Sequence, residues 1–400
     1  MATHERGKRP IDYPLIIVVA ALLIVGLMMV CSSTFSLALE EYNDTTYFLR
    51  RQLSWLFIGL AACIVVIRLE YHLWSRLSVV LMSGALVLLA LVLVMGEVAG
   101  GAQRTLIGRS VQPSEFAKLA VVIYVAHWLS SKREQIRKLT YGLIPFSILV
   151  GLVAALIILQ PDFGTAILIV LTAVAMFYLA GADLLQLFGA FVVAVVAFGV
   201  TISRSAHASG RIYSYLASLS DPISGSPWQL NLALTALGSG GLLGQGLGKG
   251  PMKAAILVLP HTDDIFAVVG EELGFVGCLL LIGLYAGLAY RGLRIAMRAP
   301  DSFGTMLAVG ITCWLSFQAF INAAAIVGLI PFTGITLPFI SVGGSSLVSS
   351  LIGVGLLLSI SRGSIEKGKS SGASLAVGRR DRRPRLSRAG RRRRADRRRS

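Results

Sequence analysis

The sequence predicts an all-α polytopic membrane protein with about ten transmembrane helices and one long outer loop. Of its 400 residues 55% are hydrophobic and only 14% are charged, and the mean hydropathy is +0.75. An ordinary soluble domain carries about 25% charged residues. The apolar residues also form runs of about 20, the length at which a helix crosses a bilayer core of about 30 Å.

Ten apolar runs give the predicted helices in chain order. The first run is too long for the hydrophobic region of a signal peptide, and no small-residue cleavage site follows it. Continuous apolar runs of this length also exclude an outer-membrane barrel, whose strands alternate between apolar and polar residues. The runs are 14–35, 52–69, 77–96, 113–130, 140–159, 164–181, 183–203, 265–290, 303–328 and 339–361.

Loop charge predicts the orientation of these helices. The predicted inner segments hold 12 Lys and Arg residues before the C-terminal tail, whereas the short outer loops hold 4. Because positive residues collect on the cytoplasmic side, both termini are expected in the cytoplasm. The chain is therefore predicted to be a multi-pass protein of the cytoplasmic membrane, with a membrane domain of residues 1–362 and a long outer loop at 204–264.

The tail, residues 363–400, differs in composition from the rest of the chain. It carries 15 Lys/Arg and 3 Asp/Glu, and so holds +12 of the net charge of +17. Few apolar residues and a high net charge predict disorder. Its expected partner is the anionic lipid of the inner leaflet, and binding to nucleic acid is not expected.

The outer loop ends on His261-Thr262-Asp263-Asp264, where the eighth helix begins. Two adjacent acids at the membrane surface cost desolvation energy, which makes them candidate functional residues. One of them suffices as a helix N-cap. Glu271 and Glu272 lie about 12 Å deeper along the same helix, and one of them is expected to face the same cavity.

Polar residues also open the fourth and sixth helices. Gln112-Pro113-Ser114-Glu115 is a helix-start pattern, and Glu115 shares a helix face with Lys118. That pair either joins helices as an ion pair or lines a water-filled cavity. Asp162, in the outer turn Gln160–Thr165, either caps the sixth helix or belongs to the site.

Two further segments have unusual backbone requirements. The glycine-rich run 238–250 matches neither a Walker loop nor a dinucleotide fingerprint, because the required strand and βαβ context are missing. Its glycines permit close backbone packing, or N–H groups that face an anion. Paired prolines in the turn 331–341 interrupt the helix, which is tolerated at membrane depth only within protein or beside water.

These segments, in this order, resemble the SEDS family of bacterial cell-wall polymerases (shape, elongation, division and sporulation). The resemblance covers about residues 11–363, and the entry Asp-Tyr-Pro and the Gly-Glu-Glu-Leu-Gly run look more like the division branch, FtsW, than the elongation branch, RodA. It rests on Asp12-Tyr13-Pro14, Gln112 to Glu115 with Lys118, Gln160-Pro161-Asp162 with Gly164-Thr165, Gly238 to Gly248, His261-Thr262-Asp263 with Ile265-Phe266-Ala267, Gly270 to Gly274, and Pro331 through Ser346.

The resemblance implies a peptidoglycan glycosyltransferase that polymerises lipid II outside the membrane, for cell division or cell shape. The essential aspartate of the family falls on Asp263. Two departures concern the loops: Pro260 abuts His261 where the family has Pro-Glu-x, and Thr105 follows Arg104 where the family has Trp. Asp264 replaces a usual aromatic residue, so either acid is open to substrate.

The implied reaction joins a sugar hydroxyl of one lipid II to the anomeric carbon of another. Asp263 is the expected base. The leaving pyrophosphate requires positive charge from side chains or from a divalent cation such as Mg²⁺ or Mn²⁺. The expected substrate-binding residues are Glu115, Lys118, Asp162, Arg104, Arg211, Thr262, Asp264, Glu272, Ser341 and Ser345.

Two other functions are compatible with the same residues: a lipid II flippase, because broken helices and buried charges suit transport, and a non-catalytic scaffold that recruits a synthase. An outer loop that ends in acids favours chemistry at the outer face. The resemblance further implies a class B penicillin-binding protein transpeptidase as partner, with other proteins of the divisome or elongasome. Small residues of helices eight and nine either dock that partner or pack internally: Gly274, Gly277, Gly283, Gly287, Gly304 and Gly310.

Overall fold

The computed structural model describes residues 11–99, 102–105, 112–132, 136–204, 206–220, 228–250 and 263–377. Within these ranges lie twelve α-helices, a π-helical turn at Leu139–Leu143 and a two-stranded antiparallel hairpin of β1 (Glu97–Ala99) and β2 (Ala102–Thr105). The helices are α1 (Tyr13–Tyr42), α2 (Tyr47–Arg68), α3 (His72–Met95), α4 (Pro113–Lys132), α5 (Ile144–Ile158), α6 (Phe163–Leu179), α7 (Leu184–Arg204), α8 (Ala206–Ser220), α9 (Trp228–Gly240), α10 (Ile265–Arg298), α11 (Ser302–Ile326) and α12 (Gly344–Val377).

A helix lies at each of the ten predicted positions, and the chain is a multi-pass membrane protein. Seven of the described helices are long and apolar enough to cross a bilayer: α1, α2, α3, α5 with its π-helical turn, α10, α11 and α12. In addition, α6 and the first part of α7 are shorter apolar helices. The number of ten spans stays a prediction.

The structure corrects the sequence prediction at three places. The predicted loop 204–264 contains α8 and α9, which a search for membrane-length runs misses because they are only 15 and 13 residues long. The hairpin after α3 makes the fold nearly, rather than wholly, helical. Finally, α12 continues to Val377, past the predicted start of the tail, while residues 378–400 lie outside the described residues.

Helix α11 occupies the centre of the bundle, where it packs against α4, α6, α10 and α12. Elsewhere α2 packs along α12, α3 along α4, and both α1 and α9 along α10. Small residues allow the close approaches: a Cβ at Gly310 would collide with Met176 and Val122. Large apolar side chains such as Phe57 and Val80 remain exposed on the outside of the bundle, as expected for a surface that faces lipid.

The two ends of the bundle are built differently. We call the end at which α4, α6, α10 and α12 begin the site end, and the end at which α1, α3 and α11 begin the opposite end. At the opposite end Asp12 caps α1 through Leu15 N and pairs with Arg291 of α10 at 2.6 Å. Asp301, the N-cap of α11, accepts a hydrogen bond from the Tyr71 hydroxyl. Carboxylates at helix starts therefore tie neighbouring helices together there.

Candidate active site

Acidic residues meet at the site end because three helices begin there with an acid. Glu115 lies in the first turn of α4, Asp162 is the N-cap of α6, and Asp264 is the N-cap of α10. Each helix start also carries a positive partial charge from the helix dipole. The site end thus combines carboxylates with groups that attract anions.

The adjacent acids Asp263 and Asp264 have different surroundings. Asp264 is fully buried, and its carboxylate accepts hydrogen bonds from Gln229 Nε2 at 3.1 and 3.3 Å. Asp263 is partly exposed, and its Oδ2 lies 3.4 Å from the point where a Cβ at Gly334 would stand. Gly334 has a φ of 69°, a conformation that suits glycine. Of the two acids, Asp263 offers the accessible carboxylate.

The non-helical segment 331–341 is held beside Asp263 by side chains of α11. Asn322 Nδ2 donates to the backbone oxygens of Asp263 at 2.9 Å and of Ile335 at 2.7 Å. Gln318 Nε2 donates to Thr336 O at 2.9 Å. Buried amides therefore supply hydrogen bonds to backbone carbonyls that a helix would otherwise satisfy. Such non-helical backbone at membrane depth was predicted from the paired prolines.

The predicted partners Glu115 and Lys118 form a buried ion pair. Lys118 Nζ lies 2.9 Å from both carboxylate oxygens of Glu115, and it also donates to Gln318 Oε1 at 2.9 Å. The ring of Trp314 lies 5.7 Å from the same nitrogen. The ion pair lies within α4, and Lys118 joins α4 to α11 through Gln318. This fits the first of the two predicted roles, an ion pair that joins helices, and a contact with substrate stays a prediction.

Asp162 joins three helix starts. Its Oδ1 caps α6 by accepting from Thr165 N at 3.2 Å, and its Oδ2 accepts from Gln112 Nε2 at 3.3 Å. The backbone N of Gln112 in turn donates to Ser345 Oγ of α12 at 3.3 Å. One carboxylate oxygen of Asp162 therefore caps α6 while the other contacts Gln112 at the site end, so the two predicted roles do not exclude each other.

The second predicted serine, Ser341, also acts on backbone. Its Oγ accepts from Leu337 N at 2.8 Å and closes the turn that leads toward α12. Ser341 and Ser345 are both buried, and their contacts shape the segment that faces Asp263. A direct contact of either serine with substrate stays a prediction.

Helix α10 is interrupted at Gly274, whose φ of 69° and ψ of −168° are not helical. Four backbone hydrogen bonds of 2.9–3.1 Å join residues 241–246 to residues 271–276 across this break. A Cβ at Gly244 would collide with the backbone of Glu272 and Gly274. Of the two predicted uses of the glycine-rich run, close backbone packing is confirmed.

The deeper acids of α10 are both buried. Glu272 accepts hydrogen bonds from Ser32 Oγ of α1 at 2.6 and 2.8 Å. The carboxylate of Glu271 lies against Gly250, where a side chain would collide with it. Glu272 therefore ties α10 to α1 in this structure, and a contact with substrate stays a prediction.

Arg211 of α8 supplies a cation at the site end. Its Nη1 donates to Phe332 O at 3.4 Å, so it holds the same segment that faces Asp263. It also lines a cavity of about 530 Å³ between α6, α8 and α11, whose other walls are mainly apolar and include Phe320 and Ile321. Phe320 is 69% exposed, and this side of the cavity faces the outside of the bundle.

Some predicted residues fall outside this description. His261 and Thr262 lie outside the described residues, as does the side chain of Arg104, whose backbone belongs to β2. In the described part of the chain, no group of three or more His, Cys, Asp or Glu side chains is placed to hold a metal ion. The described donors do not form a site for a resident Mg²⁺ or Mn²⁺, so that cation stays a prediction.

Sequence reasoning missed the amides that organise the site: Gln229, Gln318 and Asn322. A signal for two of them was present, because Gln318 and Asn322 stand four residues apart in an otherwise apolar helix. Polar side chains in such a helix face the bundle interior and bond across it. This spacing puts both on the face that looks toward Asp263.

A family profile described as "Cell cycle protein", which covers FtsW, RodA and SpoVE, matches residues 13–366. The chain belongs to this FtsW/RodA/SpoVE family. It is 40% identical to "Probable peptidoglycan glycosyltransferase FtsW" of Trichlorobacter lovleyi, over 88% of this chain and 93% of that protein. It is also 40% identical to "Stage V sporulation protein E" of Bacillus subtilis, over 88% of this chain and 97% of that protein.

Solved structures of the FtsW/RodA/SpoVE family share the fold. One, described as "Structural coordination of polymerization and crosslinking by a peptidoglycan synthase complex", contains a chain with a TM-score of 0.71 and 29% identity, covering 88% of this chain and 98% of that one. The rod shape determining protein RodA of Thermus thermophilus gives a TM-score of 0.65 and 30% identity, over 88% and 97% of the two chains. The SEDS resemblance is thereby confirmed.

Proposed function

We propose that the chain is a peptidoglycan glycosyltransferase that polymerises lipid II into glycan strands at the outer face of a bacterial cytoplasmic membrane. One observation carries the proposal. The Asp263 carboxylate lies at Gly334 and the Arg211 guanidinium at Phe332 O, two residues away on one segment, beside an apolar cavity of about 530 Å³. A lipid-linked sugar pyrophosphate needs these three things: a base, a cation and an apolar surface.

Asp263 acts as the base in this reaction. Its carboxylate takes the proton of a sugar hydroxyl, and the freed oxygen attacks the anomeric carbon of the second lipid II. The bond from that carbon to the pyrophosphate oxygen breaks, and its electron pair leaves with the lipid-linked pyrophosphate. A single displacement of this kind inverts the anomeric centre.

The leaving group is already an anion, so no strong protein acid is required, in contrast to the two-carboxylate glycosidases. Positive groups fixed in advance stabilise the charge that develops on it. Arg211 is the cation that the geometry favours, because Lys118 is bonded to Glu115 and Gln318. Part of the lipid chain lies in the apolar cavity.

The orientation follows from loop charge. With Lys and Arg concentrated in the inner segments, both termini are cytoplasmic and the site end faces outward. This places Asp263 on the side where cell-wall glycan is assembled. The orientation is checked by tagging either terminus and adding a membrane-impermeant reagent to intact cells. Labelling of a tagged terminus in intact cells overturns the orientation.

One experiment tests the activity against the two other functions. The purified full chain in detergent receives fluorescent lipid II as its only substrate, with Asp263→Asn as a control. Glycan chains from the wild type, absent from the variant, support the polymerase. A flippase or a scaffold makes no chains under these conditions, whatever it does in vesicles or in a complex.

A class B penicillin-binding protein is the proposed partner, because glycan is useful only when cross-linked and a relative of this chain occurs in a peptidoglycan synthase complex. Among the predicted docking glycines, Gly310 packs internally and Gly274 contacts the glycine-rich run. Gly283 has nothing within 4 Å of its would-be Cβ, and the preceding Ile282 lines an apolar cavity of about 600 Å³ between α10 and α11.

This surface is tested by Gly283→Leu, with Gly84→Leu of α3 as a matched control in equally open space. Co-purification with a tagged class B penicillin-binding protein should fall for Gly283→Leu alone. Equal recovery with both variants places the partner elsewhere. The chain is 40% identical both to an FtsW and to the sporulation protein SpoVE, so the proposed division role is tested by rescue of a division-blocked rather than a shape-defective strain.

A further inference from the structure

Two amides of α11 stand one turn apart and reach the same segment. Asn322 is 3% and Gln318 is 0% exposed. Their Nδ2 and Nε2 groups donate to consecutive carbonyl oxygens, those of Ile335 and Thr336, at 2.7 and 2.9 Å. Both side chains thus fix the backbone that stands beside the accessible carboxylate.

Asn322 connects the two halves of this arrangement. The same Nδ2 that holds Ile335 O also donates to Asp263 O at 2.9 Å. Both of its hydrogens are therefore used, one on the residue that carries the base and one on the segment containing Gly334. Asn322 is therefore a direct, buried link between the Asp263 backbone and that segment.

Gln318 connects the same segment to the buried ion pair. Its Oε1 accepts from Lys118 Nζ and from Trp314 Nε1, each at 2.9 Å. Two donors on the oxygen fix the direction of the amide, and its nitrogen is thereby directed at Thr336 O. The Glu115–Lys118 pair thus reaches the segment beside Asp263 through a single intermediate side chain.

We propose that Asn322 and Gln318 are positioning residues that hold Asp263 against the segment 331–341, and that Lys118 acts on the reaction through Gln318. This inference rests on the proposed function of Asp263. Without the Asn322 donors, Asp263 O and Ile335 O are no longer held by one shared side chain, so the two backbones can move apart. A displacement of about 1 Å at a reacting group lowers turnover by about 100-fold.

The test measures kcat and KM of the full chain in detergent with fluorescent lipid II. Asn322→Leu removes both donors at similar volume, Asn322→Asp keeps the shape, and Gln318→Met removes the bond to Thr336. Thr312→Val is the matched control, because the Thr312 hydroxyl is also buried in α11 but bonds only Ala308 O of its own helix. Turnover is normalised to folded protein by monodisperse elution and thermal unfolding.

The expected result is a fall of about 100-fold in kcat for both Asn322 variants with KM changed less than about threefold, and no change for Thr312→Val. The double variant Glu115→Gln/Lys118→Met removes the charges of the pair. Adding Gln318→Met to it should lower kcat little further, because both changes interrupt the same connection to Thr336. Folded Asn322 variants with wild-type kcat overturn the positioning role. Fully multiplicative losses overturn the route through Gln318. A wild type that makes no glycan at all removes the proposed function first, before any variant is compared.

Discussion

The site end and the opposite end of the bundle use polar residues in different ways. At the opposite end, bonds between side chains join neighbouring helices, as in the Asp12–Arg291 pair and the Tyr71–Asp301 hydrogen bond. At the site end buried side chains bond backbone, as Asn322 and Gln318 do with the segment 331–341. The first arrangement ties helices together, and the second holds non-helical chain in a fixed shape.

This difference indicates where function resides. Backbone that leaves a helix at membrane depth costs several kcal/mol for each unsatisfied group, and it persists only where protein or water satisfies it. The site end meets that cost with buried amides and serines around a partly exposed carboxylate. The opposite end also has side chains bonded to backbone, such as Ser359 Oγ to Leu69 O at 2.9 Å and Arg362 to Ile67 O at 3.0 Å, but these bonds are made to the end of α2 and not to a long non-helical segment.

The largest expected effect separates the two ends directly. Asp263→Asn should lower glycan synthesis by about 1,000-fold, because general-base catalysis contributes 10²–10⁴-fold, while thermal unfolding stays near that of the wild type. Asp12→Asn should do the reverse: it retains the helix cap but loses the charge opposite Arg291, so stability falls and turnover per folded molecule does not. Full activity in Asp263→Asn would move the base to another residue, with Asp264 the first to examine.

The next effect concerns the deeply buried Glu115–Lys118 pair at the site end. Lys118→Met leaves the Glu115 carboxylate without its cation and should destabilise the protein by about 3–5 kcal/mol. The double change Glu115→Gln/Lys118→Met should restore folded yield but leave turnover about tenfold low, because the donor to Gln318 is still missing. Turnover that returns fully in the double variant would make the pair purely structural.

A smaller effect is expected from Tyr71→Phe at the opposite end. The lost hydrogen bond to Asp301 should lower stability by about 1–2 kcal/mol and leave glycan synthesis unchanged. Burial, reinforced by the Asp301 carboxylate, raises the pKa of Tyr71 well above its usual value, so its contribution should be constant from about pH 6 to 9 and decline only above about pH 10. Thermal unfolding across this range checks it, and reduced turnover per folded molecule would contradict the separation of the two ends.

The smallest effect on chemistry is expected from the tail. Deletion of residues 364–400 removes +12 of charge and should leave lipid II polymerisation in detergent unchanged. Retention on vesicles rich in anionic lipid should fall, while retention on neutral vesicles should not. A folded truncation that no longer polymerises would give the tail a role in the reaction.

Hydropathy and helix-start patterns predicted the positions of ten helices and the clustering of Glu115, Asp162 and Asp264 at helix starts. These features are local, because run length and capping residues lie within one helical segment. The short helices α8 and α9 were missed because they are too short to cross a bilayer. Packing on α10 places α9, and hydrogen bonds to Phe332 O and Leu329 O, between α11 and α12, place α8.

The contacts of the site were less accessible to sequence reasoning. Lys118 and Glu115 were expected to share a face, but the hydrogen bond from Lys118 to Gln318 joins residues 200 positions apart in the chain. The exposure difference between Asp263 and Asp264 depends on Gln229 and on a turn in another segment. Long-range partners of this kind are fixed by tertiary packing, which helical periodicity does not encode.

The break at Gly274 has a consequence for how the protein enters the membrane. Its backbone groups are satisfied by residues 241–246, so α10 is not complete as a span until that run is docked against it. The glycine-rich run is synthesised first, and its carbonyl and amide groups are already present when α10 emerges from the ribosome. We therefore expect α10 and the glycine-rich run to integrate into the bilayer as a single unit.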